Sequence, residues 1–273
     1  MLPSIFQPRP QTFWDPLKYQ HEHSSPQCLF RVKRDIENFC AKPPPGLFIA
    51  PDEDDATKVH ALIMGPAGTP YEGGFFHFLI KYPSDYPLSP PRVRIMTTDS
   101  GRVGFNPNLY ACGKVCLSIL GTRPGPPLSP ARGIEGVLSS IRSLLCENPY
   151  HDEPLFVAGE RKPGDARRYN DFVQHETIRV AVCGMVEAAL QDSPQFPEMF
   201  RELILKSFSE SYDTYEDIAK RNLHLTGRAM LDLVVEKGRF QYQTLLRDLK
   251  KLNEKVKNKL ESSSCQESLV KAS

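Results

Sequence analysis

No apolar run in this 273-residue chain approaches the roughly 20 consecutive positions that a bilayer-crossing helix needs. The start, Met1 to Pro26, carries Pro3, Pro8, Pro10, Pro16 and Pro26 where a secretory leader would place basic and then apolar residues. The chain is therefore expected to stay inside the cell, in cytoplasm and nucleus, without a membrane partner. Neither sign of charge is in excess: the formal net charge of +1 argues against nucleic acid as a main partner. The seven cysteines are odd in number and irregular in spacing, which excludes a simple disulfide framework and fits reduced thiols. Cys112 and Cys116 lack a second closely spaced Cys or His pair, so no metal site is expected. A Gly-x-x-x-x-Gly-Lys-Ser/Thr phosphate loop is also missing, and no directly bound cofactor is expected.

Proline, by contrast, is abundant at 25 residues, and its clusters punctuate the chain. Hydrophobic residues at 40% and charged residues at 25% are ordinary for a globular chain with a sizeable core. Residues 1–24 read as a flexible tail, with a docking arm through Phe6, Phe13 and Trp14 as the competing reading. Spacing of Leu29, Val32, Ile36 and Phe39 predicts a helix that starts at Pro26 and ends at Lys42-Pro43-Pro44-Pro45-Gly46, because proline cannot continue the hydrogen-bond ladder. Extended runs follow at 46–50, 58–64, 74–82 and 92–98, joined by turn-forming segments. This order implies an α+β fold, an antiparallel meander with helices packed on one side.

Residues 105–130 show neither period, yet the apolar block Val115 to Leu120 within them argues for a functional loop over disorder. A helix through Ile134, Val137, Leu138, Ile141, Leu144 and Leu145 follows. Beyond Pro163 come three amphipathic runs: 169–190, then 199–222, then a near-heptad series at Leu245, Leu249, Leu252, Val256 and Leu260. Such stripes are usually core or helix-to-helix contacts.

Several strings converge on one family. Gly65-Pro66 with Thr69-Pro70-Tyr71-Glu72-Gly73-Gly74-Phe75-Phe76, then Tyr82-Pro83-Ser84-Asp85-Tyr86-Pro87, then Asn106-Pro107-Asn108 ahead of Gly113-Lys114-Val115-Cys116-Leu117-Ser118 occur in order. Ser129-Pro130-Ala131 and the segment Asn148 to Pro154 complete the set. Over about residues 26–183 the chain resembles the ubiquitin-conjugating enzymes, and its proline-containing insert after Cys116 and long C-terminus are most similar to their large Z-type members. The resemblance implies a four-stranded antiparallel meander flanked by helices. Its expected organisation is a tail at 1–24, a catalytic core at 25–183, a helical extension at 184–261 and a flexible end at 262–273.

The same resemblance implies a thioester carrier. Cys116 would accept ubiquitin or a ubiquitin-like modifier from an activating enzyme, which consumes the ATP, and pass it to lysines or a ligase. A thiol suits this task because thiolate is both a good nucleophile and a good leaving group. Asn108 matches the oxyanion asparagine, with loop bracing as its alternative role. Tyr110 matches a position lining the lysine channel. Asp152 or Glu153 would be the acidic gate, but the loop is one residue longer than the common pattern and does not choose between them. Arg31, Lys33 and Arg34 fall where the family meets its activating enzyme; Leu88, Pro130 and Ala131 fall on the ligase-gripping loops.

Two departures stand out. Asn106 replaces the usual loop-bracing histidine, so the support is expected to be altered but kept. Phe30 occupies a place that is usually basic, which points to selectivity for an unusual activating enzyme; the Z-type resemblance implies an alternative activating enzyme, with both ubiquitin and a tandem-domain ubiquitin-like modifier as cargo. His151 is a tempting base, with a solvated loop histidine as the plainer reading. A hydrolase built on Cys116 and His175, and a non-catalytic module of the same fold, are the competing functions.

Overall fold

A computed structural model describes residues 13–129, 131–156, 159–191, 196–233 and 235–270. Helix α1 (Pro26–Ala41) starts where Ser25 caps it: the Ser25 hydroxyl accepts from the Cys28 amide at 3.1 Å and Pro26 supplies the pre-set first turn. The face it buries is Cys28, Val32, Asp35 and Phe39, while Leu29 is exposed. Val32 and Phe39 are buried as the spacing predicts and Ile36 packs partly on the core, but the buried face is shifted toward Cys28 and Asp35. The cause is Asp35, which turns inward to accept from the Tyr86 hydroxyl and from Arg31 Nε.

Strands β1 (Leu47–Pro51), β2 (Lys58–Met64), β3 (Phe75–Lys81) and β4 (Arg92–Ile95) form an antiparallel sheet in that order. Register runs Ile49 to Ala61, Ala61 to Phe78 and Phe78 to Ile95. Between β2 and β3 the backbone folds so tightly that a Cβ on Gly65 would lie 1.7 Å from the Tyr71 carbonyl oxygen, so only glycine fits that position. Helix α2 (Gly133–Arg142) buries Ile134, Val137, Leu138 and Ile141 and packs on α1.

All seven residues of β3 are buried. A sheet covered on one side only would leave alternate residues wet, so both faces must be covered. The second cover is the C-terminal part of the chain. Helix α3 (Asp165–Glu176) continues through a π-helical stretch (Thr177–Gly184) into α4 (Met185–Leu190), and α5 (Glu198–Arg221) follows. Phe196 and Phe200 meet the His77 ring edge-on at centroid distances of 5.5 and 6.1 Å, and the Thr97 hydroxyl lies 3.5 Å from Met185 Sδ. The one-sided packing expected for the helices is therefore corrected: they lie on both faces. The boundary drawn at residue 183 falls inside this continuous helical run.

A two-stranded hairpin of β5 (Ala229–Asp232) and β6 (Val235–Arg239), which carries no clear alternation, leads into α6 (Tyr242–Val270). Helix α6 buries Leu245, Leu249, Leu252 and Val256, as the heptad spacing predicts, and runs well past residue 262, where a flexible end was expected. The extension is fastened by polar contacts too. Tyr215 donates to the Gly73 carbonyl at 2.9 Å, and the Gln241 amide donates to His175 Nε2 at 3.0 Å.

The start of the chain is also held. Arg94 pairs with Asp15 at 2.9 Å, Arg92 pairs with Glu22 at 2.6 Å, and Arg92 stacks over Tyr19 at 3.8 Å. Residues 13–22 thus follow the docking-arm reading. Phe6 lies outside the described residues.

Candidate active site

After β4 the chain makes a small hairpin. Asn106 and Leu109 form one bridge and Leu109 and Val115 another, with the Tyr110 amide donating to the Lys114 carbonyl at 3.0 Å. One rung further along, the Cys116 amide donates to the Asn108 carbonyl at 2.8 Å. Nucleophile candidate and carboxamide candidate are therefore neighbours on adjacent strands. Val115 and Leu109 on the inner face are fully buried and anchor the hairpin, whereas Cys116 is half-exposed. Cys112 sits exposed near the turn, where Gly113 takes a φ of +93° and lies against the Arg94 side chain.

Asn106 is buried and uses both ends of its amide. Its Nδ2 donates to the Leu144 carbonyl at 2.9 Å and to Asp152 Oδ2 at 2.7 Å, while its Oδ1 accepts from the Asn108 amide at 2.8 Å. This is the loop support expected of the departure from histidine, with one more donor than a neutral imidazole has. Tyr71 adds a second tie through its hydroxyl, which donates to the Phe105 carbonyl at 2.6 Å.

The Asn108 side chain is held by one end. Its Oδ1 accepts from Arg123 Nη1 at 3.4 Å, and its Nδ2 has no hydrogen bond among the described residues. The Cys116 thiol donates to the Thr122 carbonyl at 3.4 Å. Thr122 in turn donates to the Val115 carbonyl at 2.7 Å and accepts from the Leu117 amide at 2.8 Å. Thr122 and Arg123 were not singled out from the sequence. Their signal was present only as an insert after Cys116, whose return over the thiol depends on Gly121 adopting a φ of +66°.

Tyr110 is exposed at the mouth of this site. Partial burial raises its hydroxyl above the usual tyrosine value, helped by the charges of Cys116, Glu153 and Cys112 and opposed by Arg123. Asp152 is tied to Asn106, while the neighbouring Glu153 acts on Tyr110 through its charge. His151 Nδ1 donates to the Phe156 carbonyl at 3.1 Å and its ring lies edge-on to Tyr150, a loop fastening. His175 is buried far along the chain in α3, between Glu176 at 2.8 Å and the Gln241 amide, under Phe240 and Tyr242. It belongs to the joint with the extension, so a Cys116–His175 catalytic pair is not assembled.

The partner-surface candidates divide. Lys33 and Arg34 project to solvent, with Lys33 77% exposed, but Arg31 is drawn back to Asp35 and Tyr86 and is only 23% exposed. Phe30 is 73% and Leu88 86% exposed, and Ala131 is exposed. Pro130 lies outside the described residues.

The sequence profile of the family described as ubiquitin-conjugating enzyme matches residues 31–177. Among curated proteins, ubiquitin-conjugating enzyme E2 Z of Xenopus tropicalis is 51% identical over 257 residues, covering 94% of this chain and 79% of that one. The human protein of that name is 53% identical over 251 residues, covering 90% of this chain and 70% of its own. Its Danio rerio counterpart is 52% identical, with 91% and 75% covered. Each of these alignments spans at least 90% of this chain. The chain belongs to the ubiquitin-conjugating enzyme family, transferases that take ubiquitin or a ubiquitin-like protein from an activating enzyme as a thioester and pass it to lysines or a ligase.

Proposed function

We propose that Cys116 is the thiol that carries the modifier and that Asn108 stabilises the oxyanion formed when the modifier leaves. The observation carrying this reading is the shared rung of the hairpin: the two residues are bonded at 2.8 Å, with a half-exposed thiol on one and a free carboxamide N–H end on the other. In loading, the Cys116 sulfur attacks the carbonyl carbon of the activating enzyme's thioester, loses its proton, and displaces that enzyme's thiolate. In discharge, a neutral lysine amine attacks the same carbon, an oxyanion forms, and the Cys116 thiolate departs as the amide bond is made, while the amine's proton passes to solvent or to the leaving sulfur. The Asn108 Nδ2 donor meets the charge at the moment it develops.

Glu153, beside Tyr110, is the carboxylate that meets the entering amine, and Asp152 acts through the loop. ATP is spent on the activating enzyme, and no cofactor is bound here. Phe30, exposed where a basic residue is usual, supports selectivity for an alternative activating enzyme, and the likeness to E2 Z supports a tandem-domain ubiquitin-like modifier as well as ubiquitin as cargo. Lys33 and Arg34 share that surface. Leu88 and Ala131, apolar and exposed on loops, support ligase contact. Thioester chemistry on a free thiol supports residence in cytoplasm and nucleus.

The test is incubation with activating enzyme, ATP and modifier, read on a non-reducing gel. Wild type should give a thiol-sensitive adduct, Cys116→Ser a persistent oxyester, and Cys112→Ser the same thiol-sensitive adduct as wild type. Normal thioester loading of Cys116→Ala would sink the assignment.

A further inference from the structure

A carboxamide has two ends of nearly equal size, and which end faces a reacting carbonyl is set by what each end bonds. The Asn108 amide is bonded at its oxygen only, by the Arg123 guanidinium at 3.4 Å. We infer that Arg123 is a positioning residue for discharge: it holds Asn108 by Oδ1, turns Nδ2 toward the thioester carbonyl, and polarises the amide so that its N–H donates more strongly to the oxyanion.

The backbone around Arg123 is fixed relative to the thiol, which makes this contact more than a surface coincidence. Gly121 turns the chain back in the left-handed region and donates to the Ser118 carbonyl at 2.9 Å. Thr122 is tied to both sides of Cys116, through the Val115 carbonyl and the Leu117 amide, and its own amide donates to the Leu117 carbonyl at 3.2 Å. On the far side Gly125, with a φ of +139°, packs so closely that a Cβ there would lie 2.8 Å from Ser118 Cβ. Arg123 is thus carried on a loop clamped at both ends over the thiol. Its charge is also felt at Tyr110. The guanidinium bonded to the carboxamide also puts a cation beside it, and a cation favours a developing negative charge.

This inference rests on Cys116 as the thioester residue. Loss of a direct oxyanion donor typically costs about 10²–10³ in rate. A residue that acts through that donor, itself exposed and screened, should cost less, about tenfold. The experiment is single-turnover discharge to free lysine from protein already loaded on Cys116, with loading rates measured alongside. Arg123→Ala should slow discharge about tenfold more than it slows loading. Arg123→Lys, which keeps the charge and a donor, should restore most of that rate. In an Asn108→Ala background, Arg123→Ala should add nothing, because the group works through Asn108. A wild-type discharge rate in Arg123→Ala, a Lys variant as slow as the Ala variant, or a full tenfold loss in the Asn108→Ala background would each overturn the inference. Equal losses in loading and discharge would also overturn it, marking Arg123 as a strut of the loop. If wild type forms no thiol-sensitive adduct, the Cys116 reading itself has failed, and that outcome is visible before any Arg123 variant is compared.

Discussion

Asn106 Nδ2 donates to the Asp152 carboxylate at 2.7 Å, and this contact takes Asp152 away from the mouth of the site. Of the two adjacent acids, Asp152 is thus committed to the asparagine loop, which leaves Glu153 as the proposed gate.

Glu153→Ala should accordingly raise the lysine concentration needed for half-maximal discharge and leave the melting temperature close to wild type. Asp152→Ala and Asn106→Ala should instead lower the melting temperature. Each strips a partner from a buried hydrogen-bonding group, at a cost of about 1–3 kcal/mol. Thermal unfolding and lysine titration of the three variants decide the matter. A large destabilisation by Glu153→Ala with none by Asp152→Ala would reverse the two roles.

Asn108→Ala should slow lysine discharge by about 10²–10³ and slow loading much less, because the amide end it removes acts on the oxyanion of aminolysis. Asn108 is nevertheless buried, and its backbone carries the rung to Cys116. Equal losses in both steps, together with a lowered melting temperature, would support the bracing role instead.

Phe200 is fully buried against His77 of β3, so Phe200→Ala should cost about 3–5 kcal/mol of stability by denaturant unfolding. A chain cut after residue 183 should aggregate, because the cut falls inside a continuous helix and uncovers one face of the sheet. A loss below about 1 kcal/mol for Phe200→Ala would mean that the extension is not docked there in solution.

Stability should also fall on mild acidification. His77 is buried with Nε2 2.9 Å from His60 Nδ1; burial, then the neighbouring imidazole, lower its pKa to about 3. An unfolded chain takes up this proton near pH 6.5, and the folded one only near pH 3. The stabilisation is therefore complete above about pH 6.5 and is lost as pH falls, by up to about 1.4 kcal/mol per unit. Melting temperatures taken between pH 7 and pH 5 should drop less for His77→Gln than for wild type. An identical drop would acquit His77.

The strands, the first helix and the three C-terminal stripes were legible because each follows a period set by local geometry, 2.0 or 3.6 residues. Cys116 and Asn108 were legible for a different reason. Their spacing in the chain is what places them across a hairpin, so one short segment contains both. Which side of α1 turns inward was less clear, since Asp35 is drawn in by Tyr86, a residue 51 positions away. The ion pair of Arg31 with Asp35 was not legible either, because a cation on a helix gives no sign that it will fold back onto a neighbour.

By itself, then, the sequence determined the α+β class, the meander and the family, all of which depend on local periodicity or on residues close in the chain. Only the tertiary structure decided that the extension covers the second face of the sheet, that Asp152 bonds Asn106, and that Arg123 reaches Asn108. Those are contacts between segments whose meeting is selected by packing, and a hydrogen bond across 15 or 46 positions has no signature in either segment alone.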